Sequence, residues 1–285
     1  AQATRGGARL CELVQRIEGE AWWPWPVGDF PLSGARHFGF AHGAAGVTCA
    51  LARLHQATGV PEFADLARAG LRTLLNGAQA LPENVLWWPV STQDSTVWNA
   101  WCHGTPGVLK ALVALVECLG DVEAHALLPR GLQGMQAANN AGWCLCHGVA
   151  SRLDAYTSAL PLLSEAQRTA FLPVAAKDAA VLASLDPAWL GEAARLLPAG
   201  QASEGTGLMT GPAGLLRTLV RWQRLVNQLG LQGIERGRLG LGQAGAVQPT
   251  GVDAGIGHGF LNDRLRLDGS TDGLAANGTK LELLL

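Results

Sequence analysis

The sequence predicts an all-α fold in which helical hairpins stack side by side, either as an open solenoid or closed into an α/α toroid. Three observations support this class. A five-residue phrase occurs four times, each copy precedes an apolar run with a helical period, and strand-forming residues are scarce, with a single Tyr in 285 residues. The repeat alone does not distinguish a ring from a solenoid, because both stack the same unit.

The repeated phrase marks the start of a helix in each unit. Its four copies are HGAAG from His42, HGTPG from His103, HGVAS from His147 and TGPAG from Thr210. The apolar residues that follow recur with a period of about 3.6 and not 2.0. Each phrase is therefore predicted to be a glycine-rich turn that opens an inner helix, and the turns are expected to face a shared cavity.

The intervals between the turns leave room for a second helix in each unit. Three segments fill these intervals and make the repeating unit a helical hairpin, namely residues 61–75, 121–135 and 164–185. Before the first turn, residues 5–17 are predicted to be helical. Irregular structure is predicted for two stretches rich in tryptophan, around Trp22, Trp23 and Trp25 and around Trp87 and Trp88.

The chain is predicted to contain one main domain. At 285 residues it is long enough for a large core, and helical toroids of this size form single domains. Periodicity weakens towards the C-terminus and glycine becomes frequent. The predicted domain is therefore 1–231, with its motifs within 36–222, and 232–285 is predicted to be a glycine-rich segment that is partly loop or tail.

Charge and hydropathy argue against two classes of partner. Lys and Arg number 21 against 23 Asp and Glu, and there is no basic run that would neutralise several phosphates, so nucleic acid is not an expected partner. No window offers about 20 apolar residues without charge or Gly and Pro, so no membrane span is expected. Without a secretory segment either, the expected location is cytoplasmic.

Three residues are candidate ligands of one metal ion: Cys102, Cys146 and His147. They lie in the phrases WCHG and CLCHG at the second and third turns. Two thiolates and one imidazole suit Zn²⁺, and three protein ligands leave a fourth position open, as in catalytic zinc sites. Ligands this far apart in sequence meet only if the turns converge, which favours a curved stack of helices.

The phrases GFAHGAAG, WCHGTPG, CHG and GLMTGPAG, in this order and at these intervals, resemble the lanthionine synthetase C-like family, the cyclases of lanthipeptide biosynthesis. The most specific part is WCHGTPG followed by CHG. The His after Cys102 is more similar to the cyclase domains of multidomain synthetases than to free-standing cyclases. The resemblance implies an α/α toroid that holds zinc on Cys102, Cys146 and His147.

The function implied by the resemblance is zinc-dependent cyclisation of a ribosomal precursor peptide. A Cys thiol of the dehydrated peptide adds to dehydroalanine or dehydrobutyrine and forms a lanthionine or methyllanthionine ring, and zinc removes the proton from that thiol. Kinase and lyase domains of the same synthetase are expected partners for the preceding dehydration. The sequence has neither a Walker-type loop nor an HRD or DFG phrase of its own.

The addition leaves an enolate that a general acid must protonate. The resemblance implies this role for His42. His103 is the second candidate, although its place beside Cys102 also suits a residue that orients a zinc ligand. Asp94 is a candidate for setting the tautomer of a histidine.

Aromatic and basic residues near these motifs carry weaker expectations. Trp98 and Trp101 flank Cys102 and are candidate substrate-binding residues, with packing in the core as the alternative. Arg36 and His37 are expected to form a solvated turn.

Three alternatives remain open at the level of sequence. A lanthionine synthetase C-like protein could add glutathione to dehydroamino acids, or act as a non-catalytic peptide-binding domain. A helical-toroid glycosidase or terpene cyclase would need paired carboxylates at the inner helix starts, where this chain has His, Cys, Gly and Pro. A structural zinc scaffold would need a closed site with four ligands.

Overall fold

The computed structural model describes residues 2–28, 33–136, 142–185 and 207–231. The described residues before Gly230 belong to one compact unit. The predicted segment 232–285 lies outside the described residues, so the division at residue 231 stays a prediction. The described part contains no helix that is long and apolar enough to cross a membrane.

Four helices follow the four repeated turns: α2 (Ala44–Thr58), α4 (Thr105–Leu119), α6 (Val149–Ala159) and α8 (Pro212–Gln228). Each helix is preceded by a glycine in an extended conformation as its N-cap residue, and these are Gly43, Gly104, Gly148 and Gly211. Consecutive helices of this set pack against one another, α2 on α4, α4 on α6 and α6 on α8. The predicted glycine-rich turns at the inner helix starts are confirmed.

A second layer consists of α3 (Pro61–Gly77), α5 (Val122–Gly134) and α7 (Glu165–Ala183), which pack on α2, α4 and α6 respectively. Their starts are specified locally. Pro61 occupies the first turn of α3, where it needs no amide donor. Asp121 accepts hydrogen bonds from two amides of α5, and Ser164 forms a capping box with Gln167 at α7. The predicted helical hairpins are confirmed.

The core lies between the two layers. Leu residues spaced by three or four positions along the helices are fully buried there, as a stripe of helical period requires. They include Leu51, Leu66, Leu74, Leu109, Leu112, Leu115, Leu128, Leu132 and Leu153. The all-α class predicted from the repeat is confirmed.

Two regions differ from the prediction. The first helix, α1, spans Gln2–Leu13 and ends before residue 17. It is followed by a small antiparallel hairpin of β1 (Gln15–Ile17) and β2 (Glu20–Trp22). The turn is made by Glu18 and Gly19, both with positive φ, which is the geometry of a two-residue hairpin loop.

A second hairpin, β3 (Gln79–Leu81) with β4 (Val85–Trp87), replaces the irregular stretch predicted around Trp87 and Trp88. Trp88 is fully buried and its indole donates a 2.6 Å hydrogen bond to the carbonyl of Leu74 in α3. Tertiary packing on helices therefore stabilises short strands that intrinsic propensity does not favour.

Candidate metal centre and histidine cluster

Backbone hydrogen bonds join the four turns at the residues just before the repeated phrase. The amide of Ala41 donates to the carbonyl of Cys102 at 3.1 Å, and that of Trp101 donates to the carbonyl of Cys146 at 2.8 Å. The amide of Cys146 in turn donates to the carbonyl of Met209 at 2.8 Å. The turns therefore lie side by side at one end of the inner helices, which is the convergence that a shared metal site requires.

The thiols of the second and third turns meet where these backbone bonds form. Cys102 and Cys146 are hydrogen-bonded through their side chains. The imidazole of His147 is hydrogen-bonded to the thiols of Cys146 and Cys144. Cys102 and Cys144 are buried, whereas His147 is exposed. The three predicted ligands are thus brought together, with Cys144 as a fourth sulfur beside them.

These contacts shift the pKa values of the groups in opposite directions. The hydrogen bond from Cys146 lowers the pKa of Cys102, and the same bond together with burial raises that of Cys146. Burial raises the pKa of Cys144, but the hydrogen bond and charge of His147 outweigh it and lower the pKa overall. Hydrogen bonds to Cys144 and Cys146 raise the pKa of His147 to about 10. Cys102 and Cys144 therefore lose their protons more readily than Cys146, and the thiolate is the form that binds metals.

Zinc is the metal that the sequence predicts for these donors. No group of three or more His, Cys, Asp or Glu side chains in the described ranges is arranged so that it could hold a metal ion. The chemistry of the donors nevertheless fits, because thiolate and imidazole are the preferred zinc ligands and each donor already touches another of the set. The types of donor therefore suit zinc, and a zinc site on Cys102, Cys146 and His147 stays a prediction.

Cys144 was not assigned a role from the sequence. The available signal was its place in the phrase CLCHG, two residues before Cys146 and three before His147. In the structure its thiol hydrogen-bonds the imidazole of His147. A group that contacts a metal-ligating histidine orients the ring and changes its basicity, so Cys144 is placed to act on His147.

Three histidine rings form a cluster beside the thiols. The ring of His103 lies 4.9 Å from that of His42 and 5.7 Å from that of His37, measured between centroids. Trp98 approaches His103 edge to face at 5.4 Å, and Trp25 lies 5.6 Å from His42. Both candidate proton donors, His42 and His103, are therefore in one aromatic cluster.

Burial sets the protonation of two members of this cluster. Burial lowers the pKa of His42, and burial followed by the charge of His42 lowers that of His37. Nδ1 of His42 and both ring nitrogens of His37 are buried without a hydrogen-bond partner of normal geometry among the described residues. Because a charged imidazole is costly in such surroundings, both rings are neutral at neutral pH.

The prediction of a solvated turn at Arg36 and His37 was wrong for His37, which is 6 % exposed. Residue 37 forms a β-bridge with Ser91, and its carbonyl accepts a 2.9 Å hydrogen bond from the amide of Ala44 at the start of α2. These long-range contacts bury the ring. Arg36 is half-buried, and its guanidinium lies over the ring of Trp22 at 6.0 Å.

The remaining candidates occupy the rim of the cluster. Trp101 packs on Phe40 with centroids 4.6 Å apart, and Trp98 and Trp101 are both half-buried. Asp94 is exposed and its carboxylate accepts a hydrogen bond from the amide of Thr96. A hydrogen bond from the side chain of Thr96 is the main cause that lowers the pKa of Asp94, followed by the one from its amide, with smaller contributions from His37 and His103. Substrate binding by the two tryptophans and tautomer control by Asp94 stay predictions.

Stacked helical hairpins whose turns gather thiols and imidazoles define a class of α/α protein with a candidate zinc site at the inner helix starts. The model of one family, described as lanthionine synthetase C-like protein, matches residues 25–234. The chain therefore belongs to the lanthionine synthetase C-like family. The predicted all-α toroid class and the family resemblance are confirmed.

Two further comparisons complete these findings. A solved structure named nisin cyclase is 18 % identical, with a TM-score of 0.49, and the match covers 68 % of this chain and 48 % of that chain. The chain thus spans about half the length of that protein. No curated protein sequence matches.

Proposed function

We propose that this chain is a zinc-dependent peptide cyclase that forms lanthionine or methyllanthionine thioether rings in a dehydrated precursor peptide. The observation that carries the proposal is the chain of backbone hydrogen bonds between the turns, which sets Cys102, Cys146 and His147 beside the cluster of His42 and His103. A site that binds a thiol and a site that moves a proton are thereby adjacent.

Cys102, Cys146 and His147 would hold the zinc ion, and Cys144 would orient His147. When bound, zinc supplies a Lewis acid that keeps a coordinated thiol in its thiolate form at neutral pH. Partial burial of the thiols excludes water and strengthens the electrostatic interactions in the site.

The reaction forms a bond between the peptide sulfur and the β-carbon of dehydroalanine or dehydrobutyrine, and the π bond to the α-carbon breaks. One proton leaves the thiol and one proton must reach the α-carbon. His42 is neutral at neutral pH because burial lowers its pKa, so it can accept the thiol proton and return it to the α-carbon. We assign this exchange to Nε2, because Nδ1 is buried without a hydrogen-bond partner among the described residues.

The neighbours of His42 support this role. Trp25 donates a 3.0 Å hydrogen bond from its indole to the backbone carbonyl of His42, which fixes the turn that carries the ring. His103 packs against the imidazole of His42 and is the second candidate for the transfer. Trp98 and Trp101 would bind apolar parts of the peptide at the rim. Kinase and lyase activities that dehydrate the peptide are the expected partners.

The first test is elemental analysis of the purified chain and of Cys146→Ala. We expect about one zinc per chain, lost in Cys146→Ala and retained in the control Cys11→Ala, whose cysteine lies in α1 far along the chain from the turns. A fully folded chain that takes up no zinc when the metal is supplied would overturn the proposed mechanism.

The second test separates the cyclase from the two related functions. The chain is incubated with a peptide that contains one Cys and one dehydroalanine, and free thiols are then alkylated and counted by mass spectrometry. Cyclisation leaves the mass of the peptide unchanged and protects the thiol from alkylation. Addition of glutathione would raise the mass by one glutathione, and binding without chemistry would leave the thiol open to alkylation.

A further inference from the structure

A second set of equivalent positions lies within the inner helices. Cys49, Lys110, Asp154 and Arg217 each stand seven residues after the first residue of their repeated phrase, on α2, α4, α6 and α8. Four neighbouring helices of a stack place such residues in one layer. The layer is polar and charged, in contrast to the leucine core on the other side of the same helices.

Asp154 is the centre of this layer. It is 2 % exposed, and its two carboxylate oxygens are shared among three basic side chains. Lys110 Nζ lies 2.9 Å from Oδ2, Arg217 Nη1 lies 3.2 Å from Oδ1, and Arg221 Nη1 also contacts Oδ1. Ser158, one turn further along α6, accepts hydrogen bonds from Lys110 at 2.7 Å and from Arg221 at 2.9 Å.

Among the described residues, the cations of the layer outnumber its anions. Lys110, Arg217 and Arg221 share Asp154, and Glu117, whose charge also acts on Lys110 and Arg221, is already paired with Arg53 on α2. Burial, followed by repulsion from Arg221 and Arg217, lowers the pKa of Lys110 to about 7, and the charges of Cys49 and Glu117 oppose this. An excess of cations that repel one another in partly buried surroundings is stabilised when an anion joins them.

Part of the cluster is open to a ligand. The Arg217 side chain is 44 % exposed and that of Arg221 is 28 % exposed, whereas Asp154 is covered. A guanidinium has five N–H donors in a planar fork, and the contact of Arg217 with Asp154 uses one nitrogen. Planar forks of this kind bind carboxylate and phosphate oxygens.

We propose that Lys110, Arg217 and Arg221 form an oxyanion-binding subsite on the inner helices, separate from the thiol cluster, which takes a phosphate or carboxylate group. With a rise of about 1.5 Å per residue, the subsite lies roughly 8–14 Å along the helices from the turns. On an extended peptide this corresponds to about two to four residues from the reacting residue. The spacing on the peptide rests on the proposed function, whereas the binding of an anion at this subsite does not.

The test is isothermal titration calorimetry of the full chain with inorganic phosphate and, separately, with acetate. We expect saturable binding of one phosphate, weakened roughly tenfold in Arg217→Gln, since a charge-assisted hydrogen bond is lost. Asp154→Asn should instead tighten binding, because it removes the anion that competes for the same cations. The control, Arg68→Gln, changes an exposed arginine of α3 that pairs with Asp65 and should bind phosphate as the unmodified chain does.

The outcomes are distinct. Saturable binding of phosphate alone identifies a phosphorylated group as the ligand class, and binding of acetate as well identifies an acidic side chain or a chain terminus. Absence of saturable binding of either anion, or equal affinity in Arg217→Gln and Arg68→Gln, overturns the subsite. If Asp154→Asn fails to fold, the comparison of Arg217→Gln with Arg68→Gln still decides. Neither result depends on zinc or on cyclisation, so failure of the proposed function is detected separately.

Discussion

The turns before α2 and α6 carry the same His-Gly pair and open their helices with the same extended glycine, yet they create different chemical environments. His42 lies among aromatic rings, and burial lowers its pKa. His147 is exposed and contacts two thiols, which raise its pKa to about 10. The same backbone motif thus presents a neutral imidazole in one unit and a thiol-bound imidazole in another.

The difference originates in the residues just before each histidine. The first turn has Ala41 at the position that Cys146 occupies in the third turn, and the two positions make equivalent backbone hydrogen bonds to the following turn. The copies of a repeat can therefore share one backbone geometry and differ in a single side chain, so that each copy has a different chemical role. In this family member the proposed tasks are proton transfer at the first turn and metal binding at the third.

The largest expected effects come from changing the two histidines in the same way. His147→Asn should lose zinc and with it thioether formation, because the ligand set falls to two thiols. His42→Asn should retain zinc but slow cyclisation by about 10²–10⁴-fold, which is the usual contribution of a positioned proton-transfer group. Zinc content is measured by elemental analysis and the rate by alkylation of the remaining thiol.

The two variants serve as controls for each other, since both replace the same residue type after an equivalent turn. Loss of zinc in His42→Asn would show that the two turns do not have separate tasks. If the rate of cyclisation in His42→Asn is unchanged, proton transfer is the task of His103 and not of His42.

A second contrast between the turns concerns the last position of the repeated phrase. It is glycine in the first, second and fourth units, as Gly46, Gly107 and Gly214, and serine in the third unit, as Ser151. A Cβ on Gly107 would collide with the carbonyl oxygen of Trp101 and approach Cβ of Phe40 to 2.8 Å. The backbone of the turn cannot move away easily, because the amide of Trp101 is bonded to the third turn.

Substitution by the same residue in two units sharpens this contrast. Gly107→Ala should lower the free energy of unfolding by about 3 kcal/mol, as overpacking against backbone does. Ser151→Ala, at the equivalent position where a side chain already fits, should cost about 1 kcal/mol, which is typical of a single substitution that causes no overpacking. Urea denaturation of both variants measures the difference, and equal losses would contradict the assigned close approach at Gly107.

The repeat made much of this architecture predictable from sequence. Period and punctuation predicted the helices after the turns and the second layer, because local caps such as Ser164 and Asp121 agree with the hydrophobic pattern. The two hairpins were missed, since strands of three residues have little propensity of their own and depend on contacts with helices. One such contact is the hydrogen bond from the amide of Ala21 to the hydroxyl of Thr73 in α3.

The site was predictable to the extent that it is written in the repeated phrase. Residues inside the phrase, such as His42 and His103, were found together as expected. His37 was missed because its burial arises from a β-bridge to Ser91, more than fifty residues later, which no local pattern encodes. The charged layer around Asp154 was also missed, although its common spacing from the phrase was visible once the inner helices had been placed.

The smallest expected effect concerns the pH dependence of stability at His37. Burial lowers the pKa of His37 in the folded chain relative to the unfolded chain, so the folded state binds a proton less readily. The stability associated with the neutral ring is present above about pH 6.5 and is lost as pH falls through the lowered pKa. Asp94 and His103 also face this region, but only His37 has both ring nitrogens buried without a partner of normal geometry among the described residues.

His37→Asn should therefore flatten the loss of stability as the pH falls below about 6.5, and by less than the effect of Gly107→Ala. The measurement is the midpoint of urea denaturation at several pH values, with His125→Asn on the exposed face of α5 as the control. If His37→Asn and the unmodified chain lose stability in parallel as the pH falls, the acid sensitivity belongs to other groups. A flattened dependence of stability on pH in His37→Asn would show that a buried, neutral histidine lies beside the first turn. This would distinguish the first turn from the third by a stability measurement that needs neither metal nor substrate.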